Sequence, residues 1–217
     1  MMKQKIKIYW MPLSRVFPAT HPRAGEQTHF AQFVINGQGC LMCSGKDNKI
    51  IYMDWDCNDP SIRSKLHTIR ADKKGLWKHR IEKVQQGNAV LVVYQWNGKP
   101  YSREGSTNLF VFGTSAVREF INELLSTEKY KRAIPVIDSG IGTQELKIIP
   151  VHPIDFGGND IKGSFPLRLD VSVGGRCFSY KDLAVNDGLS CDDFIAWFKD
   201  YDTNDRMTII HFTKFRY

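Results

Sequence analysis

The chain has 217 residues, 42% hydrophobic and 12% aromatic, with no low-complexity tract or internal repeat; that is enough for a real core and too apolar for a disordered chain. Its net charge of +7 fits an anionic partner, and fits plain solubility equally. The longest apolar run, residues 89–94, is far too short to cross a bilayer, and residues 8–13 are too short and interrupted for a signal-peptide core.

Five cysteines at 40, 43, 57, 177 and 191 are odd in number and scattered, which reads as reduced thiols in a cytoplasmic protein. Cys40-Leu-Met-Cys43 has zinc-ligand spacing, but no second pair follows. It also lies in a strand-like run, where positions i and i+3 face opposite ways. Neither a metal nor an organic cofactor is expected.

In chain order, residues 5–10 alternate as a first strand. Residues 16–26 carry two prolines and a glycine that exclude regular structure. With His21 and Arg23 held between or beside those prolines, this segment is either a rigid binding loop or a surface crossover. Residues 30–35 and 39–43 flank Asn36-Gly37 and predict a hairpin, with residues 49–53 as a third strand. Residues 76–86 predict a helix: Trp77, Ile81 and Val84 share one face and Gly87 follows the end.

Further strands are expected at 89–96 and 108–112. Ser115 is placed to cap a helix whose Val117, Phe120, Ile121, Leu124 and Leu125 form an apolar stripe. Residues 126–163, richer in Gly and Pro and with one strand at 145–149, read as an excursion from a single domain. A strand at 168–173 ends in Gly174-Gly175. Helices start at Ser179 and Ser190, the second burying Phe194, Trp197 and Phe198, and a last strand covers 207–212. Many strands with a few short helices predict an α+β domain around a curved or barrel-like sheet.

The densest chemistry lies in residues 63–83, where eight Lys or Arg meet two acids, Asp72 and Glu82. Arg63, Arg70, Lys73, Lys74, Lys78 and Arg80 are candidates to neutralise phosphates, with His67 beside them. Trp77 reads either as core or as a platform for a base. A solvated basic face without a ligand is the bland alternative.

Lys65-Leu-His-Thr-Ile-Arg70, Leu76-Trp-Lys-His-Arg80, Gly98-Lys-Pro-Tyr101, Leu183-Ala-Val-Asn-Asp-Gly188, Trp197-Phe198 and the segment from Ile210 to Tyr217 together resemble an uncharacterised family of phage and bacterial proteins. That family is similar to the ASCH domain of the PUA-like superfamily. The resemblance implies a small β-barrel with flanking helices over residues 1–217, and a partner that is RNA or a modified nucleotide. It also implies a second reading, because one bacterial ASCH branch hydrolyses the amide of acetylated cytidine with a Lys, a Thr three residues later and a distant Glu. Lys65 and Thr68 match the first two, and Asp187 stands where the Glu would be, one methylene shorter.

For such hydrolysis the Thr68 hydroxyl needs a base within hydrogen-bonding reach, and Lys65 serves only if its pKa is depressed. In a regular strand Lys65 and Thr68 face opposite ways, so the trio converges only on a turn, bulge or helix. A third reading is a protein-binding accessory factor of a phage or mobile element, displaying aromatics between Tyr94 and Tyr101.

Overall fold

A computed structural model describes residues 5–38, 41–43, 50–52, 63–97, 102–152, 168–201 and 206–217. Its first strand, β1 (Lys7–Pro12), leads through an irregular loop into helix α1 (Phe30–Gly37). The hairpin expected across Asn36-Gly37 is therefore replaced, over 30–37, by a helix. Phe30 and Val34 are its buried residues, a spacing of four that a helix places on one face. A short antiparallel pair follows instead, β2 (Leu41–Cys43) with β3 (Ile50–Tyr52). Cys40 and Cys57 lie outside the described residues.

β4 (His67–Ala71) precedes helix α2 (Leu76–Gln85), which is capped by a side chain that is not local to its first turn. Asp72 accepts hydrogen bonds from the backbone N–H groups of Trp77 and Lys78 and from the Thr208 hydroxyl. β5 (Ala89–Gln95) and β6 (Thr107–Gly113) pair antiparallel. A 3₁₀ turn at Ser115–Val117 then runs into α3 (Arg118–Leu125). Ser115 is not the cap expected of it; its N–H is itself taken by Asp138.

β7 (Ile134–Ile137) runs parallel to β6, and β8 (Gly142–Val151) crosses to the other sheet. The described part of 126–163 is thus built into both sheets rather than being an excursion; residues 153–163 lie outside the described range. β9 (Arg168–Val173), β10 (Arg176–Phe178), α4 (Tyr180–Asn186), α5 (Cys191–Phe198) and β11 (Met207–His211) complete the fold. Ser179 and Ser190 cap α4 and α5 through their hydroxyls, as expected.

The result is an α+β arrangement of a mixed sheet, β1-β5-β6-β7, and an antiparallel sheet, β10-β9-β8-β11-β4. One hydrophobic cluster takes residues from both sheets, including Met11, Leu91 and Phe112 from the first and Leu146, Val171 and Ile209 from the second. A smaller cluster joins Val90, Val92 and Val111 to Ile121 of α3. β5 is therefore buried on both faces. Tyr94, expected at an exposed aromatic patch, is buried, Trp96 is half-buried, and Tyr101 lies outside the described residues. Among the described residues no helix is long and apolar enough to cross a membrane.

Candidate functional site

Lys65 sits just before β4 and is 1% exposed. Three backbone contacts fix its position: its own N–H bonds Phe33 O midway along α1, and the Leu66 N–H bonds Asn186 O at the end of α4. The Phe212 N–H in turn bonds Leu66 O. Its ammonium donates to Asp187 Oδ1 at 2.5 Å and to Asp187 O at 2.6 Å, and lies 4.0 Å from the centroid of the Phe30 ring. Gly188, next to Asp187, has φ of +75°, and a Cβ there would meet Phe33 at 3.0 Å. The chain turns at this glycine so that the carboxylate lies against the lysine.

Burial pushes the Lys65 pKa down to about 8, against the pull of Asp187 in the other direction. Burial likewise raises Asp187, opposed by Lys65. Lys65 and Asp187 stand at ion-pair distance, and the buried lysine releases its proton more readily than in water.

His67 Nε2 lies 3.9 Å from Asp187 Oδ1, and His67 Nδ1 lies 3.4 Å from the Tyr217 hydroxyl. That hydroxyl also accepts from Asn186 Nδ2 at 3.0 Å. Burial, reinforced by Lys65 and His211, drives His67 well below its ordinary pKa, so the ring is neutral. Burial also raises Tyr217, keeping its proton on. Where Tyr217 donates to Nδ1, the imidazole proton is on Nε2, which makes no hydrogen bond among the described residues. Tyr217, His67, Asp187 and Lys65 thus lie in a row toward the buried amine, with no hydrogen bond across the 3.9 Å between His67 Nε2 and Asp187. His211, paired opposite His67 in the sheet, is held down to about 3 by burial and by Arg216.

The sequence trio is only partly assembled. Lys65 and Asp187 meet, but Thr68 follows His67 in a regular strand and points to the other face, beside its cross-strand partner Ile210. Its hydroxyl makes no hydrogen bond to Lys65 or Asp187 among the described residues. The eight binding candidates are also divided. His67 is inside, and the Arg70 guanidinium is turned to the Pro12 carbonyl. Trp77 packs on the core, with the Arg80 guanidinium over its ring at 4.9 Å. Arg63, Lys73, Lys74 and Lys78 are exposed.

Two surface clefts flank residues 213–217, and Arg216 lines both. One, of about 400 Å³, is walled by Phe178, Phe215 and Tyr217, with Asn186, Asp182 and Arg216 at its polar edge. The other, of about 390 Å³, contains Gln85, Thr114, Ser139, Lys214 and Arg216. Lys65 lines neither; Tyr217 and Asn186 stand between it and the aromatic cleft. Tyr217 itself is pinned by a two-way bond with Gln144 of β8: its N–H donates to Oε1 and its carbonyl accepts from Nε2.

No family model, curated protein or solved structure matches this chain. The site therefore rests on its own geometry. Asn186, His211, Arg216 and Tyr217 were not singled out by sequence reasoning as site residues. Basic and aromatic residues alternate from Lys214 to Tyr217, but no local signal places that segment, Asn186 and His211 at one site.

Proposed function

We propose that the protein binds a nucleobase-bearing ligand, a modified nucleotide or an unpaired residue of an RNA, in the cleft walled by Phe178, Phe215 and Tyr217. The observation that carries this reading is that cleft: three aromatic rings around about 400 Å³, with an amide and a guanidinium at the edge. Stacking of one base on such rings contributes about 1 to 3 kcal/mol, and Asn186 has the donor and acceptor needed to read a base edge. Phe215 and Val185 are among the few large apolar side chains left exposed, and both lie at this cleft. Lys73, Lys74 and Lys78, at the other end of α2, supply sequence-independent contacts for the phosphates of a longer RNA. The fold we assign is a PUA-like, ASCH-like barrel, supported by the hydrophobic cluster shared between the two sheets.

Calorimetric titration with a panel of nucleosides, nucleotides and short single-stranded RNAs tests the reading. Binding by at least one of them, weakened about tenfold in Phe215→Ala as loss of one stacking partner implies, is the expected result. Absence of binding across the panel overturns it.

Amide hydrolysis is the second reading, favoured by the depressed pKa of Lys65 and its contact with Asp187. With Thr68 on the opposite face and no hydrogen bond joining His67 Nε2 to Asp187 among the described residues, Lys65 would have to act, in its unprotonated form, as base on a water or substrate proton that reaches it directly. Incubation with acetylated cytidine checks this. Turnover that is lost in Lys65→Met, in protein shown by circular dichroism to be folded, supports it; no turnover on any acylated nucleoside removes it.

A further inference from the structure

The second cleft carries chemistry that base stacking does not use. Arg216 donates from Nη1 to the carbonyls of Thr213 and Phe215, and from Nη2 to that of Gly140. Those partners are neutral, so the guanidinium is held in place while its charge is left uncompensated among the described residues. Lys214 lines the same cleft and forms no ion pair among the described residues. Two residues of the wall, Thr114 and Ser139, carry buried hydroxyls with no hydrogen-bond partner among the described residues. Buried hydroxyls without partners are costly in a folded protein, and both can donate to an oxygen acceptor.

Against these stands one carboxylate, Asp138. One of its oxygens already accepts the Ser115 N–H at the start of the turn into α3. The balance at the cleft is two cations to one anion. The backbone keeps the cations there: Gly140 has φ of +81°, and a Cβ on it would lie 2.9 Å from Lys214 Cα. Residues 213–216 close onto the 138–141 loop only because that position has no side chain.

We propose that this cleft is an anion site that takes a phosphomonoester, and that it holds the phosphate of the same ligand whose base lies in the aromatic cleft. Arg216, which lines both clefts, sets the two groups next to each other. The two cations match the charge of a phosphate dianion, the wall hydroxyls can donate to its oxygens once they turn into the cleft, and the volume leaves room for part of a sugar beside it. The ligand class is then a nucleoside monophosphate, or a 5′- or 3′-terminal nucleotide, rather than a nucleoside. The second clause rests on the base-binding reading above; the anion site does not.

The experiment uses the full chain, inorganic phosphate, and matched nucleosides and nucleoside monophosphates. In ¹H–¹⁵N spectra phosphate is expected to shift the amides of Ser139, Gly140 and Lys214, and Lys214→Gln is expected to weaken that response about tenfold, as loss of a charged donor implies. A monophosphate is expected to bind about tenfold or more tightly than its nucleoside, with Lys214→Gln abolishing the difference and leaving nucleoside affinity unchanged. Phosphate that leaves these amides unmoved, or acts on them equally in Lys214→Gln, overturns the anion site whatever the nucleosides do. Equal affinity for nucleoside and monophosphate separates the two clefts and leaves base binding standing. A Lys214-dependent phosphate response, with no nucleoside bound and no monophosphate bound more tightly than inorganic phosphate, keeps the anion site and removes the base-binding reading instead.

Discussion

Strand β5 buries six consecutive residues, Ala89 to Tyr94, and five of them are purely apolar. Strand β4 buries His67, Thr68 and Ile69, with Lys65 just ahead of it and His211 opposite. The first strand lies between two hydrophobic clusters and needs nothing from its side chains but shape. The second sits at the edge of the antiparallel sheet, where ionisable groups are kept from water. A charge in that position costs free energy that apolar packing would not, so the β4 end of the fold holds its ionisable groups at a cost in stability.

The largest effect expected from breaking this contrast is at Asp187. Asp187→Ala leaves the Lys65 ammonium buried without its partner and is expected to destabilise by about 3 to 5 kcal/mol in urea unfolding. The double variant Lys65→Met, Asp187→Leu is expected to regain most of that. Leu91→Ala, on the apolar side of the comparison, is expected to cost about 3 kcal/mol by leaving a cavity, while nucleotide affinity at the distant cleft stays unchanged.

Acid sharpens the same contrast without a mutation. An unfolded histidine titrates near 6.5, whereas folded His211 is held down to about 3 by burial and Arg216, and His67 is lowered in the same direction. The unfolded chain therefore takes up these protons first. Stability is complete above about pH 6.5 and falls as pH drops below it, by about 2 kcal/mol at pH 5 for His211. Thermal unfolding across pH 5 to 7 checks this: Leu91→Ala is expected to keep the slope, and His211→Phe to flatten it. The smallest effect is at Asp72, whose carboxylate caps α2; Asp72→Ala is expected to cost about 1 to 2 kcal/mol.

What the sequence reveals divides along the same line. Periodicity and capping residues locate β5, α2, α4 and α5 because those signals are local, and Ser179 and Ser190 cap their helices as expected. α1 reads as a strand because Asn36-Gly37 is a strong turn signal. The helix also leans on distant groups: the Phe33 carbonyl midway along it takes the Lys65 N–H. Lys65 and Asp187 are legible from their motif blocks, and the period-2 rule correctly separates Thr68 from them. Asn186, Tyr217 and His211 are not legible as site residues, because contacts such as Tyr217 with His67 span 150 positions and depend on tertiary folding.

Strand β11 lies between β8 and β4, although residues 207–211 come after every other strand described. During synthesis, β4 and the cap of α2 by Asp72 and Thr208 wait for a segment 136 residues later. Until it arrives, β4 has an unsatisfied edge and Lys65 has no settled surroundings. Loop closure over that separation is slow, and exposed edges pair readily with other chains. The β4 edge of the antiparallel sheet is thus expected to form late, and hydrogen exchange during refolding should protect β5 and β6 well before β4.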